Sequence, residues 1–164
     1  MTAAMTIFDF AKDSDLSNWY VVDDVVMGGR SDGSFALNEE GNAVFSGKVS
    51  LENNGGFSSV RYVFGKTDVS QYTKAVIRLK GDGKRYQFRV KSSSRDRHSY
   101  IAYFQTSGTW ESIEIPLAEM YASFRGMTLN MPDYPAEQMA EIAFLIGNKK
   151  AENFRLEIDK IELR

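Results

Sequence analysis

The chain has 164 residues, 26% of them charged, a formal net charge of −2 and no cysteine. That length favours one domain around one core, and the ordinary composition excludes a wholly disordered chain. The missing thiols exclude disulfides, thiolate metal sites and cysteine nucleophiles, and the lone His98 excludes a multi-histidine metal centre or a histidine-based triad.

Along the chain, Met1 to Asn18 carry Asp9, Lys12, Asp13 and Asp15 with no long apolar run, so no secretory signal is visible. No stretch reaches the roughly 18 apolar residues of a membrane helix, and the sequence reads as a soluble, cytoplasmic protein without membrane insertion. Ala43 to Leu51 places Ala43, Phe45, Val49 and Leu51 against Ser46, Lys48 and Ser50, the period of two of a half-buried strand. Val60, Tyr62 and Phe64, then Ala75, Ile77 and Leu79, then Tyr86, Phe88 and Val90 repeat that alternation. Tyr100 to Thr106 and Trp110 to Ile115 resemble them, and Ile142 to Ile146 is continuously apolar, as a central strand would be. Phe154, Leu156 and Ile158 begin a last strand whose phase slips to Ile161 and Leu163, which predicts a β-bulge near Asp159 and Lys160.

Turn chemistry separates these runs. Gly81-Asp82-Gly83 and Ser107-Gly108 read as hairpin turns, and Asn53-Asn54-Gly55-Gly56 precedes another strand. Helix is confined to a short segment near Pro135 to Ala140, with Asp133 as its cap, and a turn at Leu117 to Tyr121. Eight to ten short strands without intervening helices predict an all-β antiparallel sandwich or jelly roll, one domain over residues 1–164.

Asp24 to Gly33 reads DVVMGGRSDG, Asn54 to Arg61 reads NGGFSSVR, Lys80 to Tyr86 reads KGDGKRY, Ser123 to Gly126 reads SFRG, and the chain closes with IGNKKAENFRLEIDKI. In that order these segments resemble the complex I intermediate-associated protein 30 family over nearly the whole length. The resemblance implies a galactose-binding-like jelly roll. It also implies a role like that of mitochondrial members, which are assembly factors and not enzymes, while plant and cyanobacterial relatives are linked to RNA.

Charge is distributed unevenly. Residues 1–56 hold three basic and nine acidic side chains, whereas residues 74–97 hold nine basic and two acidic. Such a basic stretch is either neutralised within the molecule or steers an anionic partner. Arg78, Lys80, Arg85, Arg89 and Lys91 alternate with apolar residues, so a hairpin over residues 74–91 would collect them on one face, with Glu111 or Glu114 to offset them. Arg61, Tyr103 and Trp110 have the same outward parity and would extend that face into a platform of rings and guanidinium groups. Gly28-Gly29 and Gly55-Gly56 are turn glycines or part of a recognition rim. Gly81-Asp82-Gly83-Lys84 lacks the spacing of a phosphate loop.

The expected protein is a non-catalytic binding module without cofactor or metal, acting as a protein-assembly or chaperone-like factor. Its binding residues are Arg61 and Trp110 at the centre. Asp24, Met27, Gly28, Gly29 and Ser31 form a neighbouring loop, Gly55, Gly56, Phe57 and Ser59 line the adjoining turn and strand, and Arg89, Tyr103 and Arg125 widen the patch. An Arg61–Asp24 ion pair is the structural alternative. Carbohydrate binding through Trp110 and Tyr103, or RNA binding through the basic hairpin, are the competing functions.

Overall fold

A computed structural model describes residues 3–24, 31–52 and 55–164. The strands are β1 (Met5–Asp9), β2 (Trp19–Asp23), β3 (Asp32–Leu37), β4 (Ala43–Val49), β5 (Ser58–Asp68), β6 (Lys74–Lys80), β7 (Arg85–Lys91), β8 (Ser99–Gln105) and β9 (Trp110–Pro116). A 3-10 turn, Leu117–Glu119, then leads to β10 (Tyr121–Phe124), β11 (Met127–Thr128), β12 (Gln138–Ile146) and β13 (Glu152–Leu163). They form two antiparallel sheets. The first, sheet A, runs β3-β4-β13-β6-β9 with β1 also on β13, and the second, sheet B, runs β11-β10-β8-β7-β12-β5-β2.

Alternation builds the core. Ala75, Ile77 and Leu79 from sheet A face Tyr86, Phe88 and Val90 from sheet B, with Ile142, Phe144 and Ile146 of the central β12 beside them, all buried in one cluster that also takes Phe45, Leu156 and Ile158. Burying these side chains drives the two sheets together, because each strand has one apolar face that water disfavours. At one end the core becomes aromatic: the Trp19 ring stacks between Phe35 at 4.8 Å and Tyr62 at 4.6 Å, with Phe8 edge-on to both Trp19 and Tyr62.

The bulge lies where the phase slip puts it. Register shifts between Ile158 and Lys160 against β6, and the freed Asp159 carbonyl accepts the Phe10 N–H at 2.9 Å. Two expectations fail. Residues 135–137 form no helix and Gln138 to Ala140 already belong to β12, where Met139 and Ala140 are buried, so sheet pairing overrides the helical start signals of Asp133 and Pro135. Gly81-Asp82-Gly83 and Ser107-Gly108 are also not hairpin turns: each carries the chain from one sheet to the other, since β6 and β9 lie in sheet A while β7 and β8 lie in sheet B. A turn motif reveals that the chain reverses, but not which sheet receives the next strand.

Candidate binding face

That crossing dissolves the basic hairpin. Arg78 and Lys80 stand on the outer face of sheet A, whereas Arg85, Arg89 and Lys91 stand on the outer face of sheet B. On sheet A several of the cations meet carboxylates or rings: Lys74 pairs with Glu114 at 2.5 Å, Lys160 with Glu162 at 3.4 Å, and Arg78 lies 5.7 Å from the centre of the Trp110 ring. Trp110 therefore belongs to the surface opposite Arg61, Arg89 and Tyr103, and the predicted platform is split. An outward parity in each strand does not say which of two sheets a strand joins.

Sheet B is different. Reading the register across it, Tyr20, Arg61, Ala143, Arg89, Ile101 and Tyr121 lie side by side on β2, β5, β12, β7, β8 and β10. At about 4.8 Å per strand this row is roughly 24 Å long. The adjoining row is Val22, Ser59, Leu145, Gln87 and Tyr103, and beyond the first row Glu141 stands opposite Lys91 and Val63. Alternation sends all of these away from the core. Even so, Ser59, Gln87, Ile101, Glu141, Ala143 and Leu145 are buried, so they form a floor beneath longer neighbours. Tyr20 and Tyr103 are exposed above it.

The electrostatics follow from that burial. Among the described residues no carboxylate lies within ion-pair distance of Arg61, Arg85, Arg89 or Lys91. Desolvation, reinforced by the like charge of Arg61, pulls Arg89 down to about 10 against the partial support of Tyr103 and Glu141. Lys91 is lowered for the same first reason. The Arg85 guanidinium covers the Tyr103 ring at 4.2 Å, and the Tyr103 hydroxyl accepts from Gln87 Nε2 at 3.1 Å, which leaves Gln87 Oε1 buried without a donor.

The remaining predicted residues do other work. Asp24 is buried and its carboxylate accepts the Ser31 N–H at 2.8 Å, the Ser31 hydroxyl at 2.5 Å, the Gly56 N–H at 2.6 Å and the Phe57 N–H at 3.2 Å. Burial alone would push this carboxyl up, but those hydrogen bonds outweigh it and hold it below the usual carboxylate range. With its lone pairs so occupied, Asp24 makes no ion pair with Arg61. Its neighbour Asp23 likewise takes the Gly33 N–H at 2.9 Å and the Ser58 hydroxyl. Ser59 donates to the Val22 carbonyl at 2.6 Å, stitching β5 to β2. Gly55 packs against Asp24, and a Cβ there would lie 2.5 Å from its Oδ2. Met27, Gly28 and Gly29 lie outside the described residues. Arg125 occupies the tight β10–β11 turn with φ +50°, followed by Gly126 at φ +79°, and its guanidinium lies over Phe124 at 5.2 Å.

Two residues of the face carry no period-two signal in the sequence: Tyr20 sits on the short β2, and Tyr121 opens β10 at the end of the segment Leu117 to Tyr121 that reads as a turn. Gln87 and Glu141 left no composition signal, since only the register brings them beside the arginines.

Two antiparallel sheets around one core, one of them presenting a row of tyrosines and arginines, define a jelly-roll module of the galactose-binding-like type. The family 11 carbohydrate-binding module of a cellulosomal cellulase from Clostridium thermocellum shares this architecture at 16% identity, with a TM-score of 0.69 over 99% of this chain and 95% of that one. The family 11 module in complex with a mixed-linked tetrasaccharide gives 18% identity and a TM-score of 0.67 over 98% and 94%. Identity at that level carries the fold alone. The chain belongs to the Complex I intermediate-associated protein 30 family, whose profile matches residues 8–158. It is 23% identical to the mouse protein named Complex I intermediate-associated protein 30, mitochondrial, across 98% of this chain and 56% of that protein, so it spans little more than half the length of that relative. The mouse protein is mitochondrial, which overturns the cytoplasmic placement read from the N-terminal composition. Among the described residues no helix is long and apolar enough to cross a membrane.

Proposed function

We propose that the chain is a non-catalytic protein-binding module, an assembly factor of chaperone-like character resembling the family members named for intermediates of complex I. Its binding surface is the outer face of sheet B. The observation carrying this reading is the unpaired, desolvated Arg89 beside Arg61 in a row that ends in tyrosines. Tyr and Arg dominate the energetically important positions of protein interfaces, and a desolvated charge without a partner costs stability unless a bound molecule completes it. Carbohydrate binding by Trp110 and Tyr103 together is disfavoured because the two rings stand on opposite surfaces and Arg85 covers one face of Tyr103. RNA binding by a contiguous hairpin over residues 74–91 fails for the same topological reason.

A photo-crosslinking amino acid placed at Tyr103 is expected to give discrete protein adducts in the native host, whereas the same group at Ser112, exposed on sheet A, gives none. Trp110→Ala is expected to leave the Tyr103 adducts unchanged. Adducts from Ser112 alone, or a glycan bound on an array and lost on Trp110→Ala, would move the function to the other surface.

A further inference from the structure

Arg61 and Arg89 flank Ala143 in register, two strands apart, so their Cα atoms are roughly 10 Å from one another. Ala143 carries the smallest side chain in the row, so β12 itself raises only a buried methyl between the two arginines. Two planar forks on the same face, close enough for the like charge of one to act on the other, match a carboxylate, which accepts paired N–H bonds from arginine better than from any other side chain. Beside them the buried Gln87 is 8% exposed and offers a carbonyl oxygen without a donor, the complement of a backbone N–H.

We propose, building on the protein-binding reading, that the outer face of sheet B takes an acidic segment of the partner protein, one Asp or Glu side chain of which is held between Arg61 and Arg89 while Gln87 bonds the segment's backbone. The shape of the face favours a polypeptide. Its cations gather on β5 and β7, the row ends in Tyr20 and Tyr121, and Val22, Ile101 and Leu145 supply apolar floor between them. A nucleic acid carries a charge at every phosphate and would want cations along the whole row. A neutral sugar would bury Arg89 more deeply without neutralising it. The carboxylate of Glu141, opposite Lys91, restrains the positive field and keeps the site from holding anions indiscriminately.

The test is selection of a randomised twelve-residue peptide display library on the intact chain, repeated on the Arg61→Gln/Arg89→Gln variant. Folding of the variant is checked by circular dichroism, and Arg61→Lys/Arg89→Lys keeps charge but not the fork. Expected are peptides with Asp or Glu at one recurring position, an affinity at least tenfold lower on the glutamine variant, an intermediate loss on the lysine variant, and a gain of about threefold on Glu141→Gln. Changing the recurring acid to its amide should cost at least tenfold, and the acidic peptide should shift the Arg61 and Arg89 side-chain Nε–H resonances. The inference is overturned if no peptide is selected, if the selected peptides lack a recurring acid, or if they bind the glutamine variant equally well. It is overturned too if oligogalacturonate or oligouridylate shifts those arginine resonances and peptides do not. Protein adducts at Tyr103 that persist on the glutamine variant would defeat the acid clamp alone and leave the protein-binding function standing; acid-dependent peptides without any Tyr103 adduct would do the reverse.

Discussion

Asp24→Asn is expected to cost about 3 kcal/mol at pH 7, a fall of roughly 6–12 °C in the midpoint of thermal unfolding for a chain of this size. Asp24 joins three stretches that are distant in sequence, the end of β2, Ser31 just before β3, and Gly56-Phe57 just before β5. An asparagine oxygen can still accept the Ser31 N–H. Its amide nitrogen would then stand where Oδ2 stood, facing the Gly56 and Phe57 N–H groups, and two buried donors would lose their acceptor. The Ser31 hydroxyl gives little relief, because it already accepts the Ser50 N–H at 2.9 Å. The effect depends on pH in a definite direction. In the folded protein the Asp24 carboxyl titrates below its ordinary value, so its contribution is fully present above the unfolded value near about 4 and is lost as pH falls through the lower, folded one. The gap between wild type and variant should therefore be equal at pH 7 and pH 5 and should narrow steadily below about pH 4. Melting curves at these values check it; a gap that widened in acid would mean that Asp24 is not the acceptor of these bonds.

The segments that make the family recognisable are thus mostly those that close the fold. Asp24 with Ser31 and Gly56-Phe57 forms one clasp. In the GDGKRY segment Asp82 forms another, accepting the Tyr86 hydroxyl at 2.9 Å and the Arg155 N–H at 2.8 Å, so that the crossing between sheets is tied to β13. Arg125-Gly126 makes the β10–β11 turn. Period-two alternation made the strands from β4 to β9 and the bulge at Asp159 legible, because burial of one face is a local property of the chain. Strands β1, β2 and β3 were not legible: they are short, and Asp32 to Leu37 shows a weak contrast between its faces. The candidate face was legible only in part. Arg61, Arg89 and Tyr103 point outward by parity, which is local, but their union with Tyr20, Gln87 and Tyr121 and their separation from Trp110 depend on strand order, a property of the whole chain that no window of residues contains.

Gly47→Ala is expected to be more damaging than the loss of Asp24, at about 4 kcal/mol, or roughly 8–16 °C. Gly47 is paired with Gly33 where β4 meets β3, and its φ of +155° is one that side-chain-bearing residues rarely adopt. A Cβ at this position would overlap the carbonyl oxygen of Asp32 and lie 2.8 Å from its carbonyl carbon, so backbone has to move and no rotamer change can relieve the clash. Gly65→Ala separates this steric cost from the conformational one. Gly65 has φ +85° and open space around its missing Cβ, so alanine there should cost only about 1 kcal/mol, the strain of a left-handed residue. Displacing Asp32 from β4 also carries Ser31 away from Asp24 and the Gly33 N–H away from Asp23, so the Gly47 and Asp24 variants disrupt the same docking of β3. Their effects should then fall short of additive in the double variant, by about 1 kcal/mol or more, as for residues sharing one hydrogen-bonded network. Full additivity in chemical denaturation would show that the close approach of β3 to β4 and the Asp24 clasp are energetically independent.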